Sequence, residues 1–266
     1  LTDVLDLVAP GDLLARSDLA DQALEGLVRA GRYRATQPMH CRVPVADILS
    51  DEDQRIDQLL FGEVFDVLET QGGRAFGRAR RDGVVGWAVL DSLKPGAPLA
   101  TRRVAAVDAA LPLNALVVEG DSVAEADLAA VGDFERDPVA VAERLLGRPH
   151  ALGARSSFET DCAGLVQQCL LACGLPGPRR SHAQAEMGRA VAAEELDRGD
   201  IVVWLAPAVS DQGESRGWTG HSALMIDHAR LIHSTGARGG VVIEALAEVD
   251  RRLVVDGFAA ALFRRL

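Results

Sequence analysis

One run, Phe158-Glu-Thr-Asp-Cys-Ala-Gly-Leu-Val-Gln-Gln168, limits most what this chain can become. Cys162 follows an acidic residue and opens an apolar stretch that reads as a helix over 162–173, with Gly174 as its C-cap. A thiol at a helix N-terminus faces unpaired backbone N–H groups, which favour the thiolate. To act as a nucleophile it needs a general base within hydrogen-bond reach, and that base needs an orienting partner. Downstream, His221-Ser-Ala-Leu-Met-Ile226 and Arg230-Leu-Ile-His-Ser234 read as adjacent antiparallel strands. His221 and His233 supply the base and its partner. A helix carrying the thiol, packed on an antiparallel sheet carrying the histidines, is an α+β architecture.

The rest of the chain divides around this unit. Residues 1–39 read as a helical lead-in, with Leu19, Ala23, Leu24, Leu27 and Val28 on one face of a helix spanning Asp18–Arg29. Residues 40–95 change to short strands broken by turns at Ser50–Asp53, Gly72-Gly73 and Asp82-Gly83, the pattern of a small all-β barrel. Residues 96–136 hold two strand-like runs, 102–107 and 113–118, too few for a second complete barrel, so this piece reads as truncated or as a linker. From 137 to 266 runs the thiol-bearing domain. Asp137-Pro138 starts its first helix as N-cap and first helical residue. A polar loop, Pro207–Thr219, directly precedes His221 and reads as a lid over the cleft.

Composition removes several classes of function. A formal net charge of −11 argues against a nucleic-acid footprint. No apolar run approaches the ~20 residues needed to span a bilayer, so membrane insertion is not expected. The sequence as written reads as cytoplasmic, and as periplasmic or secreted if a leader was trimmed. Four cysteines are too few for a disulfide scaffold; Cys41, Cys169 and Cys173 read as small core residues. No Asp, Glu, His or Cys cluster has metal-ligand spacing, and thiol chemistry calls for no cofactor. Oligomeric state is not legible.

Four short segments together resemble the NlpC-type branch of papain-like cysteine peptidases: Asp161-Cys-Ala-Gly164, Arg198-Gly-Asp-Ile-Val-Val-Trp204, Gly220-His-Ser-Ala-Leu-Met225 and Leu231-Ile-His233. Asp82-Gly-Val-Val-Gly-Trp87 resembles the last hairpin of bacterial SH3-like barrels, which often precede such domains. The resemblance implies a papain-like domain behind an SH3-like barrel. It makes Cys162 the nucleophile, His221 the base and His233 the residue orienting it, with peptidoglycan-derived peptides as substrate. The bond implied is the γ-D-glutamyl–diamino-acid bond of stem peptides with a free N-terminal L-Ala. Asp161 and Glu63 are candidates for holding that substrate.

Three positions depart from the family pattern. His150-Ala-Leu-Gly-Ala154 stands where Tyr-x-Trp-Gly-Gly is usual, so His150 has to replace the tyrosine as a donor near the oxyanion. Ala163 replaces a serine after the nucleophile. Arg179-Arg180-Ser181 replaces Arg-Asp-Ser, so Arg180, beside the substrate-binding candidate Ser181, reverses the local charge. Two other readings therefore stand beside the peptidase. One is a weak or inactive muropeptide-binding module. The other is an acyltransferase or amidase using the same thiol.

Overall fold

The structure is a computed structural model that describes residues 13–206 and 220–266. The chain folds as two compact units, one running through Val104 and including Ala110–Leu128, the other combining Ala105–Ala109 with Ala129–Leu266.

The first unit is built on a seven-stranded antiparallel sheet. Its strands are β1 (Gln37–Cys41), β2 (Val45–Leu49), β3 (Arg55–Leu60), β4 (Val64–Gln71), β5 (Arg74–Ala79), β6 (Val85–Val89) and β7 (Leu93–Pro95). Their spatial order is β3-β2-β6-β5-β4-β1-β7. Alternating residues turn Cys41, Ile48, Leu59, Phe65 and Ala79 into one buried core. Beyond it, β8 (Arg102–Val104) pairs antiparallel with β9 (Leu116–Val117).

The helical lead-in is not what the structure forms in its described part. Between residues 13 and 36 there are only two-residue strands and a single 3-10 turn, Gln22–Leu24. Leu14 and Leu19 bury against Leu68, Phe76 and Trp87, which takes them out of any helical face. Leu27, expected on the buried stripe, is 57% exposed. Burial against the sheet has overridden a weak helical period. Residues 1–12 of the lead-in, and the loop Pro207–Thr219 read as a lid, lie outside the described residues.

The second unit sets helices on a six-stranded sheet. Its helices are α1 (Pro138–Glu143), α2 (Cys162–Ala172), α3 (Ser181–Gln184) and α4 (Leu246–Val255). Its strands are β10 (Arg189–Ala190), β11 (Ile201–Leu205), β12 (Gly220–Met225), β13 (Arg230–Thr235), β14 (Gly240–Ala245) and β15 (Leu262–Arg265), in the order β10-β15-β11-β12-β13-β14. Asp137 caps α1 through the Val139 N–H, at 2.9 Å, with Pro138 in the first turn. α2 is apolar nearly all round, and it is buried nearly all round. It stops where Gly174 takes φ +70° and Leu175 N–H returns to Leu170 O.

Strand alternation gives the sheet two different faces. Val202, Trp204, Ala223, Met225 and Leu231 pack with Val249 and Leu253 of α4. The intervening residues face the other way: Ser222 reaches Ser181 of α3, and Ser234 reaches Thr160 just ahead of α2. The fold is thus α+β, a helix on an antiparallel sheet in one unit and an all-β sheet in the other. Among the described residues no helix is long and apolar enough to cross a membrane.

Candidate active site

Cys162 is the first residue of α2, and its position is fixed from both sides of the helix start. Asp161 is the N-cap, accepting the Gly164 N–H at 2.7 Å. Gly164 is required there because a Cβ would stand 2.4 Å from Ala154 O. Asp161 also accepts Gly153 N–H at 3.0 Å and a two-pronged ion pair from Arg179, at 3.0 and 2.6 Å. Both carboxylate oxygens are therefore engaged inside the protein. As a holder of a substrate ammonium, Asp161 would have to give up Arg179. The charge next to the thiol serves the helix start first.

The thiol bonds the carbonyl of Gly220, the residue before His221, and His221 bonds His233 where the sheet opens. β12 and β13 pair only at Leu224↔Ile232 and Met225↔Leu231 and separate toward His221, whereas β13 and β14 stay paired from Arg230 to Thr235. Met225 N–H bonds Asp200 O on the β11 side. Alternation then turns the Ser222 N–H and Gly220 C=O toward the opening on the β13 side. Cys162 Sγ lies there, 3.9 Å from Gly220 O, with backbone N–H groups of Ser222 and Ala163 directed at the sulfur. His221 Nε2 and His233 Nδ1 span the same opening at 2.7 Å, with ring centroids 4.9 Å apart and edge-on. The His221 ring also rests against Trp204, centroid to centroid 5.9 Å, on the α4 face. The thiol's hydrogen bond in this state goes to Gly220 O and not to the imidazole. Loose nucleophile–base geometry is common before substrate binds.

Behind His233 stands a carboxylate that sequence reading missed. Glu244 Oε2 is 2.9 Å from His233 Nε2. Arg238 and Arg252 close on the same carboxylate from the turn before β14 and from α4. His233 is fully buried and Glu244 is 9% exposed. The Arg252 and Arg238 bonds, with that of His233, hold the Glu244 carboxyl down at about 2. Burial pushes His233 down to about 4 against the pull of Glu244. Burial, then the neighbouring His233, His150 and Arg252, hold His221 well below its usual 6.5. The site therefore carries two neutral imidazoles and one ionised carboxylate at neutral pH.

The thiol corrects an expectation. The helix N-terminus suggested a lowered pKa, yet burial and then the Asp161 charge push Cys162 up to about 12. The N–H groups of Ser222 and Ala163, with Arg179, oppose this without reversing it. Desolvation outweighs the helix end. Alkylation of Cys162 by iodoacetamide, read by peptide mapping, is accordingly expected to stay slow at pH 7 and to climb only in alkaline solution. A rate at pH 7 above that of a free thiol of pKa ~8.5 would contradict this.

His150 Nδ1 is 3.0 Å from Ser234 Oγ, whose own proton goes to Thr160 O at 2.6 Å. Ser234 can then only accept from His150, so the neutral ring carries its proton on Nδ1 and a lone pair on Nε2. The expected oxyanion donor is in that form an acceptor. Burial lowers the His150 pKa as well. Ser181 is buried and takes the Ser222 hydroxyl at 2.9 Å. Arg180 is half-buried, immediately ahead of α3, while its neighbour Arg179 is the buried partner of Asp161. Glu63, offered to substrate by the sequence reading, is 2% exposed and spends its oxygens within the first unit on Leu60 N–H (3.0 Å) and Arg81 (3.1 Å). Cys41 and Cys169 are buried, and Cys173 is partly so. Among the described residues no group of three potential ligands could hold a metal ion.

Comparison with known proteins gives two family matches and a shared fold. Residues 147–252 match the NlpC/P60 family, and residues 50–93 match the bacterial dipeptidyl-peptidase Sh3 domain. A γ-D-glutamyl-L-lysine dipeptidyl-peptidase of Bacillus cereus is 32% identical over 107 residues, 40% of this chain and 30% of that protein. A murein DD-endopeptidase MepS/murein LD-carboxypeptidase of Escherichia coli is 31% identical over 104 residues, 38% of this chain and 50% of that protein. The chain thus spans half or less of the length of these relatives. The crystal structure of an NlpC/P60 family protein from Bacillus cereus superposes with a TM-score of 0.70 at 18% identity, over 86% of this chain and 99% of that one, which shows a shared fold.

Proposed function

We propose that this chain, which carries an NlpC/P60 domain at residues 147–252 behind a bacterial SH3 domain at 50–93, is a cysteine peptidase of peptidoglycan-derived peptides. What supports the reading is that Cys162 Sγ bonds the carbonyl of Gly220, the residue before His221, and that His221 Nε2 bonds His233 where β12 and β13 part. The scissile bond proposed is that between γ-D-glutamate and the diamino acid of a stem peptide. The names of similar proteins support that substrate class.

The roles follow from the bonds. His221 Nε2 is committed to His233, which leaves Nδ1 as the nitrogen available to the thiol. With the thiol pushed up and the imidazole pushed down, the resting pair is neutral. Sγ attacks the carbonyl carbon as its proton passes to His221, and the carbonyl electrons move onto oxygen. In this proposal the N–H of Cys162 holds that oxygen. Collapse of the adduct breaks the C–N bond, with the His221 proton going to the leaving amine. Water then gives a proton to His221 and opens the thioester, returning thiol and a γ-carboxylate. An amine in place of water would give transfer instead of hydrolysis.

Cys162→Ala is expected to leave the fold intact and to abolish turnover of muropeptides, followed by mass spectrometry of mixtures with and without protein. Equal turnover by wild type and variant would remove the proposal. One observation favours a second reading, a muropeptide binder that does not cleave: the thiol bonds Gly220 O and stays protonated. Binding of intact muropeptides by wild type with no change of mass would select it.

Arg180 bears on the substrate's N-terminus. It precedes Ser181, whose Cβ lies 3.1 Å from where a Cβ on Gly220 would stand, and we read it as part of the rim next to the thiol. A guanidinium there repels an ammonium and attracts a carboxylate, and Asp161 is already paired with Arg179. Peptides with N-acylated L-Ala are expected to be cut as well as those with a free amine. Strict preference for the free amine, unaltered in Arg180→Asp, would remove this role.

A further inference from the structure

We propose that Glu244 is a positioning residue that fixes the proton positions on both site histidines, leaving the lone pair of the base on His221 Nδ1. Its consequence for catalysis rests on the peptidase reading; its structural content does not.

Donors and acceptors alternate from the arginines to the base. Two guanidinium groups hold Glu244. Oε1 receives Arg238 Nε (3.1 Å), Arg238 Nη2 (2.9 Å) and Arg252 Nη1 (3.1 Å), and Oε2 receives Arg252 Nη2 (2.9 Å). A carboxylate so placed is ionised and can only accept. His233 Nε2, 2.9 Å from Oε2, must therefore be the N–H donor. Neutral His233 then has its lone pair on Nδ1, which must accept from His221 Nε2 at 2.7 Å. Neutral His221 in turn has its lone pair on Nδ1. One carboxylate, two residues removed from the base, decides which nitrogen of the base is free. Arg238 and Arg252 keep that carboxylate from taking the proton itself, so charge formed on His221 during the reaction stays beside the thiolate.

Glu244→Gln makes the proposal testable, because the arginines dictate how the amide sits. Three arginine N–H donors surround the Oε1 position and one, Arg252 Nη2, faces Oε2, so the amide oxygen goes to the Oε1 position and Arg252 Nη2 loses its acceptor. The NH2 group then faces His233 Nε2 and donates to it. His233 must carry its proton on Nδ1, give it to His221 Nε2, and leave an N–H on His221 Nδ1. A nitrogen that already bears a proton cannot take one from the thiol. A third orienting residue of the wrong polarity costs a serine triad about 10,000-fold, and second-sphere residues of metal sites about 10- to 100-fold.

The experiment is nitrogen-15 NMR of the imidazoles in the full chain, labelled at histidine, near pH 7, together with muropeptide kinetics. Wild type is expected to show His221 and His233 protonated on Nε2, and Glu244→Gln to show both protonated on Nδ1. kcat/KM is expected to fall by at least about 100-fold with KM little changed. Wild-type His233 protonated on Nδ1 would overturn the proposal, and this holds even if the variant does not fold. A folded variant with unchanged proton positions would overturn it too. Nε2 protonation of both wild-type rings without any muropeptide turnover would keep the inference and sink the peptidase reading. Full turnover by Glu244→Gln would do the reverse.

Discussion

His221→Gln is expected to lower kcat/KM on muropeptides by about 10,000-fold, the upper range for loss of a positioned acid–base group. The effect should fall on kcat, because the imidazole acts on the proton in flight and not on substrate affinity. Glutamine keeps a polar tip for His233 Nδ1 but offers no titratable nitrogen to the thiol. The pH profile of wild type carries the second half of this expectation. A base works when neutral, so activity is lost as pH falls through its pKa. His221 lies well below 6.5 by burial first and then through the neighbouring His233, His150 and Arg252, so the acid limb of kcat/KM should fall below pH 6.5. A limb at or above 6.5, or a variant within ten-fold of wild type, would remove His221 from the role of base.

Much of this site is legible in the sequence because its signals are local. Asp161, Cys162 and Gly164 fall at the N-cap, first and third positions of one helix, and each position has its own stereochemical demand. His221 and His233 sit near a single turn, so two short strands suffice to bring them together. Glu244 is different. It is paired in register with Leu231, not with His233, and its guanidinium partners come from a turn and from α4. That helix carries four charged residues between 248 and 252, and of its apolar residues only Val249 and Leu253 bury. Leu246, Val249 and Leu253 recur at helical spacing, but that period does not say where Arg252 will reach, so its ion pair stays hidden in the sequence. The arginine pair shows the same limit. The motif drew attention to Arg180, yet burial against Asp161 falls to Arg179, a distinction that only the packing makes. The thiol's pKa is the third case. Helix position is legible, whereas desolvation depends on everything that closes over the sulfur.

The Asp161–Arg179 pair gives the largest expected effect on stability. Their side chains are 11% and 6% exposed, so neither charge is well served by water. Arg179→Leu would leave Asp161 with two backbone donors and no cation, at a cost of about 3–5 kcal/mol. At roughly 2–4 °C per kcal/mol, the calorimetric transition of the second unit should drop by about 6–20 °C. Asp161→Asn in the same chain removes the stranded charge while keeping a capping oxygen for Gly164, so the double variant should recover much of the loss. Such recovery would mean that the pair adds little net stability and that its contribution is positional. It joins the start of α2 to the segment ahead of α3, the two places from which Cys162 and Ser181 approach Gly220. A transition for Arg179→Leu within about 2 °C of wild type would show instead that water reaches Asp161, and the helix start would then be held by its cap alone.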